Sequence, residues 1–345
     1  MDKPEKISIY CFSGTGNSAK VAGWMQEVAG ERGLPCEVIN IGSRTSAPPE
    51  KPEHGELLVF TSPIHGFNYP PLMLKFLLRF PRGRNRVVLM NTRAGMLIGK
   101  FITPGVTGIA FYLTALILVL KGYRIQALKA VDMPSNWISL HPGLNHPTVV
   151  YLHQRNLERV KRFANRIYDG KPFFRCLLEV YDLLLLPVAA GYYFIGRFFL
   201  SKTFVASADC NLCGKCLEAC PVKAIKLVDN RPYWTLSCES CMHCMSYCPS
   251  KAIESCHGSV ALFVLGWNLL MVWLLSQIPV VKEWSAEFPF LMWLARYLVF
   301  LGLFSVWYYL IHHLMRFRVV ERMIVFSSLT HFRFWGRRYR ALKKF

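Results

Sequence analysis

Apolar and polar residues change rhythm three times along this chain. Over the first 170 residues, short apolar runs alternate with stretches of helical period. Strand-like runs are "KISIYCF" (6–12), "CEVINIG" (36–42), "ELLVFTS" (56–62), "RVVLMNT" (86–92) and "YRIQALKAV" (123–131). After the first run, Val21, Trp24, Met25 and Val28 recur at the i, i+3, i+4, i+7 spacing of a one-sided helix. Over 152–168, Leu157, Val160, Phe163, Ala164 and Ile167 fall on one helical face. Five strands interleaved with helices predict a doubly wound α/β unit with a five-stranded parallel sheet. In the 2-1-3-4-5 strand order, ligands sit beyond the carboxyl ends of strands one and three.

The last third has a different texture. Residues 259–278, "SVALFVLGWNLLMVWLLSQI", carry no charge, and 288–311 carry only Arg296. About 20 apolar residues cross a bilayer, so these two runs predict a transmembrane hairpin, joined by the short turn "PVVKEWSAE". Arg296 is expensive at mid-span unless it snorkels or faces the partner helix. Two shorter runs do not reach that length. Residues 106–120 fall where the sheet needs a helix before its fifth strand, so a buried helix is expected. Residues 183–196 are fourteen uncharged residues between domains. That length predicts an interfacial or re-entrant segment.

Charge sets an orientation. The chain has 41 Lys and Arg against 21 Asp and Glu, a formal net charge of +20. The hairpin turn carries one Lys and two Glu, whereas 316–345 carries nine Lys or Arg and one Glu. Lys/Arg-rich flanks stay on the cytoplasmic side, so both hairpin ends are expected there, at the inner membrane. The tail "THFRFWGRRYRALKKF" interleaves rings and cations. After a membrane hairpin this pattern fits anionic headgroups better than nucleic acid, and no nucleic-acid partner is expected. The start "MDKPEKISIYCF" has no apolar signal region. The twelve cysteines therefore read as ligands or redox groups in a reducing compartment.

Eight of them form two runs. Cys210, Cys213, Cys216 and Cys220 are followed by Pro221; Cys238, Cys241, Cys244 and Cys248 are followed by Pro249. Each reads C-x2-C-x2-C-x3-C-P, the bacterial ferredoxin run, whose fourth Cys ligates the other 4Fe–4S cluster. The spacing thus assigns Cys210, Cys213, Cys216 and Cys248 to one cluster, and Cys238, Cys241, Cys244 and Cys220 to the second. Structural zinc uses paired C-x2-C hooks with four ligands per metal, which is not this pattern. "PVKAI" and "PSKAI" extend the repeat beyond the cysteines. Cys11, Cys36, Cys176 and Cys256 fit neither run and read as ordinary thiols.

Between the first strand and its helix lies "SGTGNS", Ser13–Ser18. A small-residue loop at a helix start offers backbone N–H groups and hydroxyls to a phosphate. It is neither a Walker loop nor a G-x-G-x-x-G fingerprint. Together with "SPIHGF" after the third strand and "NTRAG" after the fourth, it resembles the three FMN-contacting loops of flavodoxins. The whole order resembles the flavodoxin–ferredoxin fusion proteins of anaerobic bacteria, over residues 1–170 and 205–256. The resemblance implies that Ser13, Gly14, Thr15, Gly16, Asn17 and Ser18 hold the FMN phosphate. Ser62, Pro63, Ile64, His65, Gly66 and Phe67 would flank the isoalloxazine ring, as would Asn91, Thr92, Arg93, Ala94 and Gly95. The second loop has neither the tryptophan nor the acidic residue of ordinary flavodoxins, leaving Phe67 or Tyr69 to stack on the ring. His65, His141 and His146 lie in nearby loops and are assigned no role.

The expected organisation is a flavodoxin-like FMN domain (1–170), an apolar linker (171–204) and an α+β ferredoxin domain for two 4Fe–4S clusters (205–256). A transmembrane hairpin (257–314) and a basic-aromatic cytoplasmic tail (315–345) follow. The expected function is electron transfer between FMN and the clusters at the cytoplasmic membrane surface, with an unidentified redox protein or membrane-associated acceptor. A flavin-dependent reductase acting on a quinone or similar substrate, and a redox sensor, are the alternatives. No catalytic acid–base constellation is evident.

Overall fold

The computed structural model describes residues 2–42, 49–98, 101–174 and 180–336. Cys176 and the end of the basic tail, 337–345, lie outside the described residues.

The strand-like runs become β1 (Lys6–Cys11), β2 (Cys36–Asn40), β3 (Glu56–Pro63), β4 (Arg86–Ile98) and β6 (Arg124–Pro134). They pair in parallel in the order β2-β1-β3-β4-β6. This is a flavodoxin-like sheet with its switch point between β1 and β3. β4 runs past its expected end and folds back on a short antiparallel strand, β5 (Phe101–Thr103), which the sequence pattern did not announce.

Helices cover both faces. α1 (Asn17–Glu31) and α4 (His146–Tyr168) bury Val21, Met25, Val160 and Ile167 against one face of the sheet. α2 (Pro71–Arg79) and α3 (Ala110–Leu120) bury Met73, Leu77, Phe111 and Leu118 against the other. The side chain of Asn145 caps α4 by accepting from the Thr148 N–H at 3.0 Å. α3 corrects the expectation of a buried helix. Its inner face is buried, but Leu116, Val119 and Leu120 on the outer face are exposed because no described element packs over them.

The apolar linker is also longer than its uncharged core. Residues Tyr181–Ser201 form a 21-residue helix, the first of three among the described residues that are long and apolar enough to cross a membrane. The other two are His257–Gln277 and Pro289–Leu314. They pack through rings, with Phe263 at 5.2 Å from Phe304 and Trp267 at 5.7 Å from Phe300. The segment between them is a short helix, Pro279–Glu287, rather than a bare turn. Arg296 donates to the Ser285 hydroxyl of that helix at 2.7 Å. Its polar end is therefore met inside the hairpin.

The ferredoxin unit is built from two small antiparallel pairs. β7 (Phe204–Ala206) pairs with β10 (Ile253–Ser255), and β8 (Ile225–Val228) pairs with β9 (Arg231–Trp234). Both ends of the hairpin meet this unit. Tyr308 donates to Phe204 O at 2.9 Å, and His312 bonds Val228 O at 2.9 Å. His257, at the start of the first hairpin helix, lies two residues after β10 ends. Beyond the hairpin, Trp335 turns onto protein rather than outward. Its indole donates to Ile138 O at 2.8 Å, and its own carbonyl accepts from the Gly143 N–H at 2.8 Å.

Candidate functional site

The flavin-type cavity forms where the switch point predicts, at the carboxyl ends of β1, β3 and β4. Its volume is about 310 Å³, inside the roughly 300–1,000 Å³ range of small-molecule sites. Ser13, Gly14, Thr15, Asn17, Ser18, the run from Pro63 to Phe67, Thr92, Arg93 and Ala94 line it. Gly16, Ser62, Asn91 and Gly95, expected there by resemblance, are not part of the wall. Ser62 is fully buried near the end of β3 and Asn91 in the middle of β4, Gly95 is closed off by Asp132, and Gly16 caps α1 with a left-handed φ of 97°. Tyr69 is no stacking candidate, since its ring is buried and its hydroxyl donates to Met90 O at 2.7 Å.

The loops are tied to one another. The Ser13 hydroxyl accepts from the Gly16 N–H at 3.2 Å, and Ser18 shares a 2.8 Å bond with Thr92. Asn17 donates to Pro134 O at 2.9 Å, and Asn136 donates to the Thr15 hydroxyl. Arg93 is held by Asp132 at 2.7 Å and by Thr107 at 3.1 Å. The start of α1 has no acidic residue in its first turn. A helix N-terminus lined with hydroxyls and glycines suits an anionic phosphate, so the residues present fit FMN on chemical grounds.

Four parts of the wall were not foreseen. Met96 and Pro104–Val106 come from the β4–β5 hairpin and the segment after it. Pro134 at the end of β6 and Ser135–Trp137 of the loop after it form another part, whose aromatic content was the available signal; His141 of the same loop lines the cavity, near which the sequence had placed it. Trp137 supplies the tryptophan that the second loop lacks, and it stacks on His65 with centroids 5.8 Å apart. His146, by contrast, begins α4 and is exposed. Burial pushes the His65 imidazole down to about 4, so it is neutral at ordinary pH.

The remaining part is Cys241, from the second cysteine run. The two units meet here. A Cβ on Gly14 would lie 2.7 Å from Cys241 Cβ and 2.8 Å from its carbonyl oxygen. Tyr247 donates to Thr15 O at 2.9 Å, the Trp137 indole donates to Ser240 O at 2.8 Å, and His243 Nδ1 bonds Gly14 O.

The cysteines converge in two groups. Cys210, Cys213, Cys216 and Cys248 line a cavity of about 450 Å³, with Cys244 at its inner edge. Cys220, Cys238, Cys241 and Cys244 line a second, of about 20 Å³. Burial first, then the charges of Cys210 and Cys248, push the Cys216 thiol up to about 11. Burial pushes Cys241 up to about 12, and Cys220 adds to the rise. Thiolates crowded this way repel one another until a cationic centre neutralises them, which fits metal cores. Backbone N–H groups also point at sulfur: Ala224 to Cys220 at 3.3 Å and Ala252 to Cys248 at 3.4 Å. Cys11 and Cys256 are buried away from both groups, and burial pushes each up to about 12. Cys36 is half-buried beside α1, and its thiol rises to about 11 for the same reason.

Comparison with known proteins agrees with this geometry over part of the chain. Residues 209–253 match the family model described as 4Fe-4S dicluster domain. No curated protein matches the chain. Similar solved structures include a flavodoxin from the domain Archaea: 14% identity, 48% of this chain, 96% of that chain, TM-score 0.30. Flavodoxin 1 from Bacillus cereus is 17% identical over 45% of this chain and 97% of its own, with TM-score 0.28. Rubredoxin oxygen:oxidoreductase from Desulfovibrio gigas is 14% identical over 47% of this chain, with TM-score 0.29. This chain spans only 37% of that oxidoreductase's length. The fold assignment rests on strand order rather than on these likenesses. The chain joins a flavodoxin-like α/β unit to a 4Fe–4S ferredoxin unit and carries three helices long and apolar enough to cross a membrane.

Proposed function

We propose that this chain is a membrane-anchored electron-transfer protein relaying electrons between FMN and two 4Fe–4S clusters at the cytoplasmic membrane surface. One observation carries the reading: Cys241 belongs both to the inner cysteine group and to the wall of the flavin-type cavity. When bound, FMN exchanges one or two electrons and each cluster exchanges one, so their union converts between two-electron and one-electron partners.

The ligand sets are Cys210, Cys213, Cys216 and Cys248 for the outer cluster, and Cys220, Cys238, Cys241 and Cys244 for the inner one. Cys244, which also borders the outer cavity, makes the two groups neighbours. The order is then outer group, inner group, flavin. Cys213 is the exposed member of the eight and marks the end open to a soluble carrier. Ser13–Ser18 hold the phosphate, and Phe67, Trp137 and Arg93 border the ring system. The likeness of the three loops and two cysteine runs to flavodoxin–ferredoxin fusions of anaerobes supports the same arrangement.

Two of the apolar helices, His257–Gln277 and Pro289–Leu314, are the spans, with the basic 316–345 segment facing anionic lipid on the cytoplasmic side. The helix Tyr181–Ser201 lies along the membrane surface. Asp182 near its start accepts from the Thr107 N–H at 3.2 Å, and Tyr192 packs against Gly66 and Trp137 of the cavity. A helix held to one domain along its length is poorly placed to cross.

The test is anaerobic purification from membranes, with flavin identification, iron and sulfide counts and EPR after reduction. FMN with two interacting 4Fe–4S signals is expected. Zinc in place of iron, or clusters without flavin, would end the proposal.

A further inference from the structure

α3 is the least water-adapted helix on the surface of the flavodoxin-like unit. Its sequence, AFYLTALILVL, has no charged residue, whereas the solvent face of a soluble helix is polar. Eleven residues at 1.5 Å each cannot cross a hydrocarbon core about 30 Å thick. Yet Leu116, Val119 and Leu120 are left 53–70% exposed.

This face is not isolated. The Thr107 N–H that binds Asp182 lies three residues before α3 begins, so the helix Tyr181–Ser201 starts beside it. Tyr193 of that helix packs into the α2–α3 core, while its Leu184, Leu186 and Phe194 remain 55–80% exposed. Further along, Phe199 stacks on Phe304 of the second span with centroids 4.4 Å apart. Exposed apolar residues thus recur on α3, on the helix that starts beside it and on the hairpin that this helix reaches, more than scattered surface leucines account for.

Its far edge is cationic. The Gly83 N–H donates to Lys121 O at 3.2 Å, bringing the turn that carries exposed Arg82 and Arg84 to the end of α3. A protein partner would need no such pairing of an apolar strip, a basic rim and continuity with a span. An anionic bilayer surface meets all three.

We propose that the α2–α3 face of the flavodoxin-like unit is a second membrane contact, with the outer side of α3 in the headgroup–acyl boundary and Arg82 and Arg84 on anionic headgroups, while the Lys121 ammonium ties the end of α3 to Leu78 O and Phe80 O. The proposal rests on the reading of Tyr181–Ser201 as a surface-lying helix. It also gives the cavity a mechanical link to lipid, because the Ile109 N–H before α3 donates to Phe67 O at 2.9 Å.

The test places a benzophenone amino acid singly at Leu120, Leu184, Leu269 and Leu236 of the full chain, in nanodiscs containing anionic lipid. Leu269 lies in the first span, and Leu236 is an exposed residue of the ferredoxin unit. Cluster and flavin absorbance verifies folding. Lipid adducts are expected at 120, 184 and 269 and not at 236. Adducts at 184 and 269 without 120, or a cross-link from 120 to a second copy of the chain, overturn this proposal alone. Adducts at 269 without 184 or 120 overturn the surface-helix reading and this one with it. In the R82Q/R84Q chain, adduct yield at 120 should fall roughly five-fold per charge removed. An unchanged yield overturns the headgroup assignment.

Discussion

Gly14 has no side chain because Cys241 occupies the space a side chain would take, with Cβ and carbonyl contacts at 2.7 and 2.8 Å. Its role is steric, since Gly14 is not among the glycines with positive φ. Gly14→Ala should therefore push the ferredoxin unit off the phosphate loop without removing a ligand of either cofactor. Intramolecular electron transfer between flavin and clusters is expected to slow by more than any fall in iron or FMN content accounts for. A rate equal to the parent's in stopped-flow reduction would mean that the seam is not the electron path. His65 makes a different contribution. Its folded pKa, about 4, lies below the ordinary value of about 6.5. The unfolded chain therefore takes up the proton first as pH falls. Stabilisation from neutral His65 is complete above pH 6.5 and is lost as pH falls toward 4, by about 2 kcal/mol at pH 5. His65→Asn should flatten the pH dependence of the melting temperature between pH 7 and pH 5. An unaltered slope would place the acid sensitivity elsewhere, with the buried His153 the next group to test, its pKa lowered to about 3.

The cysteine runs repeat in conformation as well as in spelling. Leu212, Gly214 and Lys223 have positive φ, and so do Ser240, Met242 and Lys251, each twenty-eight residues later. Left-handed backbone at non-glycine residues is strained. Its recurrence in both runs turns successive N–H groups toward sulfur, as at Ala224 and Ala252. In the proposed ligation the repeat also exchanges one ligand between the two groups. Cys248→Ala in the second run should therefore abolish the outer cluster, built mainly from the first. Iron content should fall by about half, the spin–spin interaction should vanish, and flavin-coupled reduction of the inner cluster should persist. Loss of the inner signal instead would show uncrossed ligation. The grouping of the eight cysteines around two cavities was legible in the sequence because the spacing within each run is local. The five strands and the switch-point loops were legible for the same reason. The rest of the cavity was not: Trp137 and Cys241 reach it from 70 and 174 residues beyond Phe67, and neither period nor motif encodes that meeting. α3 was misjudged because an all-apolar run reads as buried whether protein or lipid covers it.

At the scale of the whole molecule, the hairpin grips the flavin-type site from both of its ends. His257 opens the first hairpin helix and bonds Ser139 O at 2.7 Å. Trp335, after the second, holds Ile138 O and Gly143 N. Those contacts fall within and just after the loop whose Ser135, Asn136, Trp137 and His141 form one wall of the cavity. A tail read from sequence as a headgroup belt thus serves, at Trp335, as a latch on the N-terminal unit. Trp335→Ala removes one hydrogen bond, worth about 1 kcal/mol net, and the packing of a half-buried ring, worth roughly another 1–2 kcal/mol. The loop should loosen more than the ferredoxin unit, which Trp335 does not touch through any of these bonds. FMN affinity is then expected to fall about ten-fold or more, while iron content, membrane insertion and cluster EPR stay as in the parent. Fluorimetric FMN titration of the deflavinated chain, alongside an iron assay, reads both quantities. If FMN binds the variant as tightly as the parent, the latch serves only to anchor the tail. If iron is lost together with FMN, the two units stand or fall as one body, and the division of labour drawn here between loop and cluster domain fails.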